Sequence, residues 1–313
     1  MDCKQEYGSK LVAAEEAVKI VKSGDWIDYG FGHSKPIALD KALAARKDEL
    51  KDINIRHVMS LSPQYCIEAD PEGEVFNLNA WYFSGYDRKL HDKGRAFHLP
   101  MIFGNQALHY QKSIHDQVDV AMFRVTRMNN EGFFNLHCAC ASGRATLKAA
   151  KKVIVEVNEK LPWAMGGTDE IIHISEIDYI VEAESQVEVI PAASPSETDK
   201  IIAQHIVPHI PNGACIQLGI GGLPNIVGTM LAESDIQDLG CHSEMLADAF
   251  YHLDKAGKLT NREKHVDKGK STFAFAAGSQ FLYDWLDNNP TLAVYPASYM
   301  NNPWIIAQNP NTI

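Results

Sequence analysis

Residues 214–232, ACIQLGIGGLPNIVGTMLA, read as a strand, a glycine turn and a helix in immediate succession. ACIQLG (214–219) is a short apolar run of the buried-strand type, and residues 224–232 carry apolar residues at helical spacing. Gly219, Gly221 and Gly222 lie between them, with Pro224 in the first helical turn. Glycines let a backbone turn tightly and approach a ligand, and a helix start offers free N–H groups at the positive end of its dipole. The pattern G-x-G-G-x-P is neither the dinucleotide fingerprint nor a P-loop. The motif alone leaves two readings open: a cradle for an anionic ligand, or a tight strand-to-helix connection that binds nothing.

Working outward, the same alternation recurs. Residues 11–22 are helical in pattern, and WIDYGFG (26–32) is a strand that runs into a glycine loop. A helix from Pro36 to about Leu50 leads to a strand at 53–59. Further strands are expected at 118–125, 153–158 and 177–183, with a helix at 142–151. The stretch ESQVEVIPAASPSE (184–197) marks a boundary, so two domains are expected, 1–190 and 191–313. A helix start follows, with Ser194 as cap, Pro195 at the first helical position and Glu197 closing the capping box. That helix runs to about His209, bent or ended by Pro208. Beyond Glu244 come a strand at 271–278, a helix at 279–288 and a strand at 292–295. Alternation of this kind specifies an α/β fold with mostly parallel sheets.

Composition narrows the function. The chain has 313 residues and a net charge of −11, which argues against a nucleic-acid surface. It has no run of about 18 apolar residues, so no spanning helix is expected, and its first residues, MDCKQEYGSK, are not a secretory signal. Six scattered cysteines without a C-x-x-C pair read as reduced, packed thiols, which fits a cytoplasmic location. Glu244 in CHSEM (241–245) is expected at the end of the loop after the helix 224–232, and three readings compete for it: a solvated surface charge, the glutamate of a zinc deaminase, and a nucleophile. The second needs a P-C-x-x-C pair that the chain lacks. His205 and His209 stand four apart, but Pro208 lies between them and no H-E-x-x-H accompanies them, so they read as a surface pair rather than a zinc site. The third reading fits chemistry in which a carboxylate forms a covalent intermediate.

The segments VEVNEKLPWAMGGTDEIIHISEIDYIVE (155–182), PNGACIQLGIGGLPNIVG (211–228) and DLGCHSEM (238–245) together resemble the acetyl-CoA hydrolase/transferase family. EYGSKLVAAEEAVKIVKSGDWIDYG (6–30) and DVAMFRVTRMNNEGFFN (119–135) resemble the same enzymes, so the likeness covers essentially the whole chain. Within the family the nearest likeness is to butyryl-CoA:acetate and 4-hydroxybutyrate CoA-transferases. The resemblance implies two related open-sheet domains of the CoA-transferase type with the active site in the cleft between them. It assigns the covalent nucleophile to Glu244 and approach to the CoA thioester to Gly219, Ile220, Gly221, Gly222 and Leu223. Ser243 departs from the family's more usual threonine without moving the carboxylate. Gly30 and Gly32 either line the acyl pocket or serve a structural turn.

The implied function is transfer of CoA between a short-chain acyl-CoA, butyryl-CoA above all, and a carboxylic acid such as acetate. It uses coenzyme A as substrate, no prosthetic group and no metal. 4-Hydroxybutyryl, propionyl or succinyl specificity, net acetyl-CoA hydrolysis and a non-catalytic CoA-binding module are the alternatives. Expected partners are these small molecules and further copies of the chain, with neither nucleic acid nor membrane. Family members also continue beyond the point matching residue 313 and carry a second glycine motif there. The expectation is therefore a truncated second domain, low solubility and no activity in the isolated chain.

Overall fold

The computed structural model describes residues 2–111, 117–190 and 193–313. They form two compact units: Met1–Leu161 with Ile171–Glu188, and Pro162–Glu170 with Val189–Ile313. The second unit thus recruits a short segment from well before the boundary expected near residue 190, and the later division falls between Glu188 and Val189.

The first unit contains nine strands among the described residues: β1 (Trp26–Phe31), β2 (Ile53–Val58), β3 (Phe76–Ala80), β4 (Ala96–His98), β5 (Val120–Val125), β6 (Phe133–Asn135), β7 (Lys152–Val157), β8 (Ile171–His173) and β9 (Tyr179–Glu182). Seven of them make a parallel sheet in the order β4-β3-β2-β1-β5-β7-β9, while β6 and β8 form a small antiparallel pair. The chain works outward from β1 to β4 and returns to β5 on the other side of β1, as in doubly wound sheets. β5 is buried along its whole length and β7 at all but Lys152. Burial on both faces is why VAMFRV and VIVEV read as near-continuous apolar runs. Ile27, Tyr29, Ile55, Leu78, Met122 and Ile154 belong to one core cluster on this sheet.

Several expectations shift here for identifiable reasons. Residues 11–22 are not one helix: Leu11 bridges in parallel to Ile180 and Val12 N–H donates to its carbonyl at 2.9 Å, leaving Ala14–Ala17 helical with a tight turn after it. Gly30 sits at φ +70° where the β1–β2 register shifts, and a Cβ there would lie 2.6 Å from Phe123. The positive φ and the closeness of Phe123 require a glycine there. Glu156 of β7 accepts N–H bonds from Ile37, Ala38 and Leu39 at 2.8, 2.8 and 3.0 Å. It thereby caps the helix Ile37–Ala44, whose preceding Pro36 has no side-chain acceptor.

The second unit carries β10 (Cys215–Ile216), β11 (Gly240–Leu246), β12 (Ser271–Ala276) and β13 (Leu292–Val294) in that spatial order, all parallel. Both edges are extended by single bridges. Thr312 pairs with Cys215 beside β10, and Gly166 pairs with Val294 beside β13. The helices Gly222–Glu233, Asp248–Lys255 and Gln280–Leu286 connect successive strands. Among the described residues no helix is long and apolar enough to cross a membrane.

The helix before β10 spans Glu197–Ile206, followed by a tight turn at Val207–His209 that contains Pro208. Its cap is Ser196, not Ser194, and the box is closed by Asp199, not Glu197. Asp199 accepts from Ser196 N–H at 2.8 Å and returns its own N–H to the Ser196 hydroxyl at 3.1 Å. Packing explains the two-residue shift. Ser194 O and the Pro195 Cα both lie 3.1 Å from where a Cβ on Gly222 would stand, so that segment is drawn against the glycine turn.

Candidate active site

The sequence brings Gly219–Leu223 and Glu244 together because β10 and β11 are parallel neighbours, with Ile216 opposite Cys241. Two side chains carry that pairing past the end of β10. Glu244 N–H donates to Gln217 Oε1 at 3.0 Å, and the Ser243 hydroxyl donates to Leu218 O at 3.4 Å. The glycine turn therefore begins one residue beyond a carbonyl held by the neighbour of Glu244. Glu244 is not in a loop, as its sequence setting suggests, but within β11. It is the one partly exposed residue of an otherwise buried strand. A partly exposed carboxylate whose backbone N–H is held by Gln217 and whose strand neighbours are paired with β12 is fixed in place while remaining reachable.

The turn is built to approach a ligand. Gly221 caps the helix Gly222–Glu233 at φ 131°, ψ 177°, a conformation essentially restricted to glycine. The first N–H groups of a helix have no partner inside it, and Pro224 has none to offer. Gly222 and Leu223 thus present the free donors of this helix start. Gly219 and Ile220 are exposed, and nothing lies within 4 Å of where a Cβ on Gly219 would stand. Gly219 and Ile220 thus form the open edge at the carboxyl end of β10, where parallel sheets bind ligands, with Gly221, Gly222 and Leu223 partly buried beside them. Behind it lies an apolar cavity of about 190 Å³ whose lining includes Leu218, Gly219, Leu223, Val227 and Ile206.

Asn301 completes the arrangement. Its Nδ2 donates to Glu244 Oε2, and its Oδ1 is buried with no hydrogen-bond partner among the described residues. Asn301 follows the four-residue helix Ala297–Met300, which packs on β11 and β12. One oxygen of the carboxylate is thereby fixed by an amide donor, and the backbone behind it is fixed by Gln217. Such an arrangement presents a carboxylate oxygen in a set direction beside N–H donors able to stabilise an oxyanion.

Residues 1–191 match the acetyl-CoA hydrolase/transferase N-terminal domain, and residues 278–313 match the C-terminal domain of the same family. The chain belongs to the acetyl-CoA hydrolase/transferase family. It is 45% identical over 305 residues to a protein described as a probable butyrate:acetyl-CoA coenzyme A-transferase of Syntrophomonas wolfei, covering 97% of this chain and 68% of that one. It is likewise 45% identical to the butyryl-CoA:acetate CoA-transferase of Anaerostipes caccae, covering 96% of this chain and 68% of the relative. Among solved structures, RipA from Yersinia pestis superposes with a TM-score of 0.92 at 31% identity, over all of this chain and 74% of that one.

Within this family member, Gln217 and Asn301 are the site residues that the sequence pattern does not single out. Gln217 belongs to the strand ACIQLG, and its polar side chain in an apolar run is the available signal. Asn301 gives none. It lies 57 positions from Glu244 in an Asn-rich stretch of loop character.

Proposed function

We propose that the protein transfers CoA between a short-chain acyl-CoA, with butyryl-CoA as the first candidate, and a carboxylate acceptor such as acetate. The observation that carries this reading is a partly exposed carboxylate, Glu244, held on β11 by Asn301 and Gln217 beside the open turn Gly219–Leu223. The names of the two 45%-identical relatives support the acyl-CoA and acceptor classes.

Replacing one thioester by another is near thermoneutral and needs no nucleotide. It does need a covalent relay, because a free carboxylate in water is a poor nucleophile. A Glu244 oxygen attacks the acyl carbonyl, expelling CoA as a thiolate and leaving a mixed anhydride. The thiolate then attacks the Glu244 carbonyl, forming a glutamyl-CoA thioester and releasing the first acid. The acceptor acid runs the same two steps in reverse and leaves as its own CoA thioester. Each step passes through a tetrahedral oxyanion that N–H donors of the glycine turn are suited to stabilise. Binding of the CoA moiety away from the reacting carbon supplies interaction energy for reaching the anhydride.

The test is a trap in the complete natural polypeptide. Incubation with butyryl-CoA followed by borohydride or hydroxylamine is expected to inactivate the protein and to modify the peptide containing Glu244, as read by mass spectrometry. An unmodified Glu244 peptide rules out the covalent relay. A panel of acyl-CoA donors and acids then fixes specificity, since one methylene changes pocket binding by only about 1–3 kcal/mol.

A further inference from the structure

His242 stands two residues before Glu244 on β11, so both side chains leave the same face of the strand. It is 3% exposed, and its Nε2 lies 3.0 Å from the carbonyl of Met300. A carbonyl only accepts, so Nε2 carries the proton and Nδ1 is left as an acceptor. Nδ1 is 3.4 Å from the hydroxyl of Thr272, its register partner on β12. That hydroxyl accepts from the buried ammonium of Lys264 at 3.1 Å and donates its own proton to the Cys241 carbonyl at 3.3 Å. The Met300 carbonyl therefore fixes which ring nitrogen donates.

The bond to Met300 matters because it holds a weak element beside the nucleophile. Ala297–Met300 is a single helical turn, too short to hold its shape alone, and its last carbonyls have no partner within the helix. Asn301 is the next residue, and its amide is the one that grips Glu244. The opposite side of the turn is tied down by Asp267, which accepts from the Tyr295 and Tyr299 hydroxyls at 2.9 and 3.0 Å. Strand β11 thus holds the end of this turn twice, once through His242 to Met300 and once through Glu244 to Asn301.

We propose that His242 is a positioning residue for the nucleophile, holding the Met300 carbonyl so that the Asn301 amide stays on the Glu244 carboxylate. This role rests on the glutamyl-CoA reading above and adds to it a residue that touches neither substrate nor the reacting atoms. Losing the bond frees Asn301 to drift, and displacement of a nucleophile by a fraction of an ångström is costly to rate while leaving substrate binding in place.

The experiment compares the wild type, His242→Ala, His242→Phe, His242→Gln, Asn301→Ala and the double variant His242→Ala/Asn301→Ala in the complete natural polypeptide. Two quantities are read: the single-turnover rate of thioester formation on Glu244 from butyryl-CoA, and the affinity for butyryl-CoA. His242→Ala and the ring-preserving His242→Phe are expected to slow thioester formation about tenfold with affinity changed less than about twofold. His242→Gln keeps an amide donor within reach of Met300 O and is expected to recover most of the rate. The double variant is expected to be no slower than Asn301→Ala alone, because one residue acts through the other. Wild-type rates in His242→Phe, no recovery by glutamine, or additive losses in the double variant overturn the role while leaving the covalent relay standing. Absence of any thioester in the wild type overturns the relay itself and this role with it.

Discussion

Glu244 gains its reach from a residue-scale contrast: its neighbours Ser243 and Met245 are buried, while its own side chain is partly open and gripped by one amide. Replacing it by Gln or Ala is expected to abolish CoA exchange, because neither an amide nor a methyl can form the anhydride. Affinity for CoA is expected to change little, since the glycine turn is untouched. Near-normal turnover in Glu244→Ala, measured by thioester exchange, would dispose of the mechanism. At this scale the sequence is partly legible. The His-Ser-Glu-Met string singles out Glu244 through resemblance, yet its pattern points to a loop. Seven consecutive strand residues, GCHSEML, hold a polar triad in their middle, which local pattern reads as loop. Thr272, Gln217 and Lys264 satisfy that triad's surroundings, and none of them is adjacent in sequence.

Among elements, the glycine turn depends on Gly221 at φ 131°. Gly221→Ala places a side chain in a region essentially reserved for glycine, at a cost of roughly 1–3 kcal/mol. A urea midpoint lowered to match, together with slower exchange, is the expected result; an unchanged midpoint would show that the turn relaxes freely. The parallel alternation is readable because buried strands such as β5 and β7 are long apolar runs. β3 (FNLNA) and β4 (AFH) are not, one because it alternates with asparagine and the other because three residues carry no period. The capping box at Ser196 lies two positions from the one that the sequence suggests. Two overlapping Ser-x-x-acid patterns, Ser194 to Glu197 and Ser196 to Asp199, compete there, and contact with Gly222 chooses between them. Propensity proposes the helix start, and packing decides its register.

For the whole molecule, the first unit hides histidines that must stay neutral. His33, facing Glu188 and Arg124, is pushed down to about 4 by burial, with the Glu188 charge opposing. His57, facing Asp87, Lys35 and Asp40, is likewise pushed down to about 4 by burial. The unfolded chain binds these protons near the ordinary value of about 6.5, so between the two values it binds more protons than the folded chain. Their contribution is therefore fully present above about pH 6.5 and is lost as pH falls toward about 4, at roughly 1.4 kcal/mol for each tenfold difference in proton affinity. Urea unfolding of the first unit at pH 7 and pH 5 is expected to show this loss. His57→Gln should flatten the dependence, and a slope unchanged in that variant would locate the protons elsewhere. The alternation of strands foretells the sheets, but the threading of the chain between units is hidden, because nothing in the composition of 162–170 separates it from its flanks. That segment has a consequence for cutting the molecule. Gly167 N–H donates to Val294 O at 3.1 Å and Val294 N–H to Met165 O at 2.8 Å, so residues belonging to the long N-terminal piece form the outer edge of the C-terminal sheet. A protease site engineered at Glu188–Val189 would sever the chain, yet the larger fragment would keep its fingers laced into the smaller one. The nicked halves are expected to elute together under native conditions and to part only in denaturant, and Gly167→Pro, which removes one stitch, to let them go sooner.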